Sequence, residues 1–194
     1  MKKIALFLSV IAMSTLFFGC NKPDDGKAIE QFDYDVFGLS NLAIGLWVTP
    51  PEGFMTEDYY EEMSEMGINI VNGFPYHEKT EQQINNVLDY SDRYGMKFLV
   101  AQMQIENNIR AYQQNSSKAL IDDSMELIGR YADHPAFAGS LFLDEPGRGM
   151  FSALDDFIKE YEKQFPGKPW YVNMFPMYAT GGIETSTYEE YIEE

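Results

Sequence analysis

The feature that most constrains the fold is a regular alternation of short apolar runs with amphipathic stretches. Apolar runs begin near residues 42, 68, 97, 137 and 169, about 26 to 40 residues apart, which is the length of a strand–helix unit. Between them, apolar residues recur at helical spacing, as in Ile84, Val87 and Leu88. This alternation predicts an α/β fold built on a parallel sheet.

Two architectures fit the alternation, an open doubly wound sheet and a closed barrel. The open sheet predicts a glycine-rich phosphate loop after the first strand, but the chain has Thr49-Pro50-Pro51-Glu52-Gly53 there. A complete barrel takes about 250 residues. We therefore predict that residues 38–194 form a partial (β/α)8 TIM barrel of about five βα units out of eight, truncated at the C-terminus.

The predicted elements follow from the same pattern. Helices are expected after Thr56, after the capping-box sequence that begins at Thr80, over 120–131, from Ser152 and from Thr187. The segment 104–117 is polar and is predicted to be a connection. The predicted strands are 42–48, 68–71, 97–103, 137–143 and 170–174.

The amino terminus has the pattern of an export signal. Two lysines precede the apolar run Ile4–Phe18, which is short for a membrane span and suits a secretory signal peptide. We predict a signal peptide over residues 1–19 and a polar tether over 20–37; an anchor helix left in place is the alternative. Cys20 is the one cysteine of the chain, so no internal disulfide can form.

The residues around Cys20 resemble a lipobox, in which the cysteine is acylated and becomes the mature N-terminus. The sequence from Cys20 to Asp25 also resembles the lysine-then-acidic signal of Bacteroidetes surface lipoproteins. These resemblances imply an exported protein anchored by lipid in the outer membrane or at the cell surface.

Charge and composition narrow the possible partners. The net charge of −17 repels phosphate backbones, so nucleic acid is not an expected partner. Two histidines and one cysteine leave only carboxylate clusters as metal ligands. No metal or other cofactor is therefore predicted, and no G-x-S-x-G elbow suggests a Ser-His-Asp triad.

Candidate functional residues lie where the predicted strands end, because chemistry in a TIM barrel occurs at the carboxyl ends of its strands. Amides bind sugar hydroxyls, aromatic rings stack on sugar faces and a carboxyl group can protonate a leaving oxygen. This combination predicts a carbohydrate site with Glu145 as the catalytic residue. The predicted substrate-binding residues are Trp47, Asn72, Tyr76, Gln102, Gln104, Asp144, Tyr171 and Asn173.

Asp144-Glu145-Pro146 resembles the Asn-Glu-Pro that ends strand four in a large clan of barrel glycoside hydrolases, in which the glutamate is the acid/base. The strand-three glutamines and residues 170–179 also resemble uncharacterised Bacteroidetes glycosidase-like proteins with this half-barrel. Asp144 departs from the clan's asparagine, which donates a hydrogen bond to a sugar hydroxyl. The clan's second carboxylate ends strand seven, and the glutamates after strand five, such as Glu184, are expected at the solvated surface.

Several hypotheses remain open. The first is a cell-envelope glycoside hydrolase acting on glycans or polysaccharides, of which this chain is an inactive fragment. The second is a non-catalytic carbohydrate-binding lipoprotein on the same scaffold, and the third a barrel enzyme of another class, such as a lyase. For Glu145 and Asp144, the structural alternative is that they cap the next helix or pair with Arg148.

Overall fold

The fold is described from a computed structural model. The structure describes residues 37, 39, 42–74, 80–179 and 181–193, all within a compact unit that spans residues 34–194. Five strands form one parallel sheet in chain order. They are β1 (Gly45–Leu46), β2 (Ile70–Asn72), β3 (Lys97–Ala101), β4 (Phe137–Asp144) and β5 (Trp170–Asn173).

Helices connect the strands. Two short 3-10 helices, Glu52–Phe54 and Arg148–Met150, precede α1 and α5. The α-helices are α1 (Glu57–Glu65), α2 (Glu81–Arg93), α3 (Met103–Asn115), α4 (Lys118–Gly129), α5 (Phe151–Gln164) and α6 (Tyr188–Ile192).

The sheet curls into a half-barrel, which confirms the predicted partial TIM-like barrel. Ile70 on β2, Leu99 on β3 and Ala138 on β4 form one apolar cluster, and Tyr171 of β5 packs against it. The ring of Trp47, directly after β1, lies 5.9 Å from the ring of Tyr171. Since β1 and β5 are the two outer strands of this sheet, their side chains can meet only across its concave face.

The main apolar core lies between the convex face of the sheet and the helices. Alternation along each strand sends Val71, Phe98 and Val100 to this side. The helices contribute the other half with residues at helical spacing, such as Val87 and Leu88 of α2. This core therefore holds the strands, and with them their carboxyl ends, in fixed positions.

Gly139 allows β4 and β5 to approach closely. A Cβ at this position would lie 2.0 Å from the carbonyl oxygen of Pro169. The pairing of β4 with β5 shifts register between Leu141 and Leu143, and it ends with Asp144 opposite Asn173. The close approach and the shifted register determine which side chains meet at the end of β4.

Two sequence predictions for the elements are wrong. The segment 104–117 is largely the helix α3, whose buried residues Ile105 and Ile109 are four apart. The first strand is confined to two residues, and Leu42 and Ile44 are exposed beside it. An outer strand has a neighbour on one side only, so an apolar run there does not need to be paired along its whole length.

Candidate functional site

The carboxyl end of β4 is joined to that of β5 by two hydrogen bonds. The side-chain amide of Asn173 donates to Oδ1 of Asp144 over 2.7 Å. The backbone N–H of Glu145 donates to the carbonyl oxygen of Asn173, also over 2.7 Å. Asp144 is half-buried and Glu145 is exposed. The structure thus brings three predicted site residues together.

Glu145 has an unusual backbone conformation, with φ at +47°. This is the left-handed region, which costs a residue with a Cβ about 1–2 kcal/mol. Pro146 follows directly, and a proline disfavours helical conformations in the residue before it. Glu145 is exposed, although Phe142 and Leu143 shortly before it are fully buried. The carboxyl group therefore faces solvent from a constrained backbone.

Tyr191 of α6 holds the turn after Glu145. Its fully buried hydroxyl donates to the carbonyl oxygen of Pro146 over 2.8 Å and accepts from the N–H of Phe175 over 3.4 Å. Burial raises the pKa of Tyr191, and the charge of Glu145 adds to this rise. Tyr191 was not among the predicted site residues, although Tyr188 and Tyr191 are three residues apart in the helix predicted from Thr187.

Glu184 stabilises the start of the helical segment after β4. Its Oε2 accepts from the N–H of Gly149 over 2.7 Å, and its own φ is +62°. Gly147 is required beside it, because a Cβ there would lie 2.6 Å from Cδ of Glu184. Glu184 was expected at the solvated surface, and it is exposed, but its carboxylate is bound. A distant glutamate thus caps this segment, the role considered for Asp144 and Glu145.

An aromatic cluster covers part of the concave face. Trp47 stacks on Phe74 with ring centroids 5.1 Å apart, and the ring of Tyr171 also contacts the indole of Trp47. The Oδ1 of Asn72 accepts from the N–H of Phe74 over 3.0 Å, so this buried amide orients the ring. Trp47 remains 38% exposed, which leaves part of its indole available for a ligand.

Gln102 and Gln104 lie elsewhere. Ala101 packs on the concave side, and alternation along the chain sends the next side chain toward the helices. Gln104 is already in α3, where its amide donates to Oδ1 of Asn108 over 2.8 Å. Both glutamines line a cavity on the helix side that also contacts Tyr131. The structure therefore separates them from Glu145.

Two predicted residues, Tyr76 and Cys20, lie outside the described residues. Across the described ranges, no group of three or more His, Cys, Asp or Glu side chains could hold a metal ion. In the same ranges, no helix combines the length and apolar character that a membrane span requires.

Solved structures similar to this chain include one from a Bacteroides species. No family model matches the chain, and no curated protein matches it. The solved structure is a "putative alpha-L-fucosidase" from Bacteroides thetaiotaomicron, with 14% sequence identity and a TM-score of 0.43. The match covers 64% of this chain and 47% of that chain, so this chain spans about half the length of that protein.

Proposed function

We propose that this chain is part of a glycoside hydrolase-like protein of the cell envelope that acts on glycans or polysaccharides, with Glu145 as general acid/base. The observation that carries the proposal is the exposed carboxyl group of Glu145 on a left-handed backbone at the end of β4. Backbone strain of this kind persists only where surrounding contacts impose it, and it is concentrated at functional sites.

The surrounding contacts support a positioned carboxyl group. Asn173 binds the backbone of Glu145 on one side, and Tyr191 binds the carbonyl oxygen of Pro146 on the other. Both anchors hold main-chain atoms and leave the glutamate side chain out of their hydrogen bonds. The carboxyl group can therefore meet a ligand while its Cα is fixed, as a proton donor requires.

In the proposed reaction, the protonated Glu145 carboxyl group donates its proton to the glycosidic oxygen as the bond to the sugar breaks. The resulting carboxylate then accepts a proton from the attacking water. Hydrolysis needs a second carboxylate, about 5–5.5 Å away in a retaining enzyme. We assign that group to no residue of this chain, and we expect the 194-residue chain alone to bind glycans weakly without turnover.

A second candidate function is carbohydrate binding without catalysis. It is favoured by the partly exposed indole of Trp47, which Phe74 and Tyr171 hold in place, since exposed aromatic rings bind the apolar faces of sugars. It is also favoured by Asp144, because a carboxylate already bound by Asn173 accepts hydrogen bonds but donates none.

Replacement of Glu145 by Gln tests the catalytic proposal in the intact protein. The amide keeps the shape of the side chain and cannot transfer the proton, so we expect turnover of a glycan substrate to fall by about 10² to 10⁴-fold with binding nearly unchanged. Glu65→Gln, at the exposed end of α1, is the matched control. Binding without cleavage in the unmodified protein would favour the second candidate, and full activity of Glu145→Gln would remove Glu145 from the mechanism.

We further propose that acylated Cys20 anchors the mature protein in the outer membrane or at the cell surface. Several acyl chains bind a membrane stably, whereas one chain binds marginally. Mass spectrometry of the membrane fraction should show a lipid-modified N-terminal Cys20, and Cys20→Ala should release the protein or retain its signal peptide. A mature N-terminus at another residue would contradict the proposal.

A further inference from the structure

A cavity of about 310 Å³ lies on the helix side of the sheet. It is partly open to solvent and is bordered by the start of α2, the start of α3 and the end of α4, just beyond the last residue of β3. None of its described lining residues belongs to the ends of β4 or β5. The cavity is therefore distinct from the site around Glu145.

One buried polar atom among the described residues that line this cavity lacks a hydrogen-bond partner. The Oε1 of Gln102 is inaccessible to solvent and has no hydrogen-bond partner in the described part of the chain. Beside it, Tyr131 is only 3% exposed. Burial raises the pKa of Tyr131, and the charge of Glu81 raises it further. Arg130 and Gln102 lower the same pKa. These four side chains therefore share one environment, in which a buried carbonyl oxygen has no donor among the described residues.

The charges that border the cavity are balanced. The guanidinium group of Arg130 lies 3.2 Å from Glu81 and 3.4 Å from Glu126. An anionic ligand would have to compete with these carboxylates and with the strongly acidic chain, and a cationic ligand would have to compete with the arginine. The electrostatics thus favour a neutral ligand.

The walls of the cavity differ in polarity. Ile84, Met103 and Leu127 supply apolar surface, and the amides of Gln104 and Asn107 add donors and acceptors to those of Gln102. The volume is at the lower end of the range for small-molecule sites, about 300–1,000 Å³. A single hydroxylated ring has matching size, with apolar faces and a rim of hydroxyl groups.

We propose that this cavity is a second binding site, which takes a neutral polyhydroxylated molecule of about the size of a monosaccharide. Gln102 is its central residue: its side chain turns toward the ligand, so that Oε1 accepts a hydrogen bond from a ligand hydroxyl, and the neighbouring amides and the Tyr131 hydroxyl bind the rest of the ligand's rim. The site does not depend on the proposed role of Glu145.

Side-chain amide NMR of the full chain tests this proposal with D-glucose, D-galactose and myo-inositol as probes. We expect saturable shifts of the Gln102 and Gln104 amide resonances with at least one probe at millimolar concentration. Gln102→Met removes the hydrogen-bonding group at similar volume and should weaken that binding by about fivefold or more. Gln114→Met, at an exposed position of α3, and Glu145→Gln should leave the binding unchanged.

A second variant, Leu127→Phe, tests the proposal even if Gln102→Met does not fold. The larger side chain fills part of the cavity and should abolish the shifts while Gln102 is intact. Absence of saturable shifts with all three probes would overturn the proposal and leave the cavity to ordered water. Unchanged affinity in both cavity variants, or loss of the shifts in Glu145→Gln, would overturn it as well.

Discussion

Asn173 binds Asp144 through its side chain, over 2.7 Å, at the position where the two residues are also opposite each other in the pairing of β4 with β5. The contact explains how a carboxylate stands half-buried at the end of a strand. Its position depends on β5 as much as on β4. The candidate site is therefore formed by the ends of two adjacent strands.

The Asp144–Asn173 contact predicts different effects for two substitutions of Asp144. In Asp144→Asn the side-chain carbonyl oxygen still accepts from Asn173, so the free energy of unfolding should change by less than about 0.5 kcal/mol. Asp144→Ala leaves the Asn173 amide unpaired and should cost about 1–3 kcal/mol. Urea denaturation of both variants measures the difference. Equal losses in the two variants would show that the hydrogen bond contributes no stability.

The left-handed backbone of Glu145 predicts that glycine is preferred to alanine at this position. Glycine adopts a positive φ without the Cβ penalty, and alanine retains that penalty. Glu145→Gly should therefore be more stable than Glu145→Ala by about 1 kcal/mol, measured as the difference between their free energies of unfolding.

Asp123, exposed within α4, provides the control for that comparison. In a helix interior glycine is less favourable than alanine by about 0.5–1 kcal/mol. Asp123→Gly should therefore be less stable than Asp123→Ala. If the glycine and alanine variants had the same order of stability at both positions, the backbone strain assigned to Glu145 would be contradicted.

The fold could be predicted to a large extent because the buried strands are continuous apolar runs. Phe137–Asp144 is inaccessible almost throughout, and the Thr80 capping box forms as its sequence indicates, with hydrogen bonds of 3.2 and 2.8 Å. Helix α3 was missed because its buried side chains include the polar Asn108. That amide donates to Oγ of Ser124 in α4 over 2.9 Å, a contact that the sequence does not reveal.

The site could be predicted only in part. Proximity of Asp144, Glu145 and Asn173 follows from the common direction of parallel strands, which the spacing indicates. Whether the Gln102 side chain points toward the helices or toward the concave face depends on the register of β3. A shift of one residue reverses the side to which a side chain points. The contacts of Tyr191 and Glu184 depend on the path of the loop after β5, which no local pattern specifies.

Tyr191 and Tyr188 provide a matched pair for the segment that supports the Glu145 turn. Tyr191 is fully buried and binds Pro146, whereas Tyr188 is half-buried and binds the carbonyl oxygen of Phe175 over 2.9 Å. Tyr191→Phe should cost about 1–2 kcal/mol, since it leaves a buried carbonyl oxygen unpaired, and Tyr188→Phe less than about 1 kcal/mol. Thermal and urea denaturation would rank the two, and the reverse order would contradict the anchoring role of Tyr191.

Two buried tyrosines predict that the protein loses stability at alkaline pH. Burial raises the pKa of Tyr60 and of Tyr161 well above the ordinary value of 10. The native state therefore keeps both phenol protons at a pH at which the unfolded chain has released them. The stabilisation is complete below about pH 10 and is lost as pH rises above it, by roughly 1.4 kcal/mol per pH unit for each tyrosine.

Phenylalanine substitutions separate this ionisation effect from hydrogen bonding. The Tyr60 hydroxyl has no hydrogen-bond partner among the described residues, although Thr49 lowers its pKa against the larger effect of burial. Tyr161, in contrast, donates to the carbonyl oxygen of Pro169 over 3.1 Å. At pH 7 Tyr60→Phe should be neutral or stabilising, because an unpaired buried hydroxyl is removed, and Tyr161→Phe should cost about 1 kcal/mol. Between about pH 10 and 11 either variant should lose stability less steeply than the unmodified protein. Urea denaturation at pH 7, 10 and 11 measures both effects, and an unchanged slope in Tyr60→Phe would show that its phenol ionises alike in the folded and unfolded states.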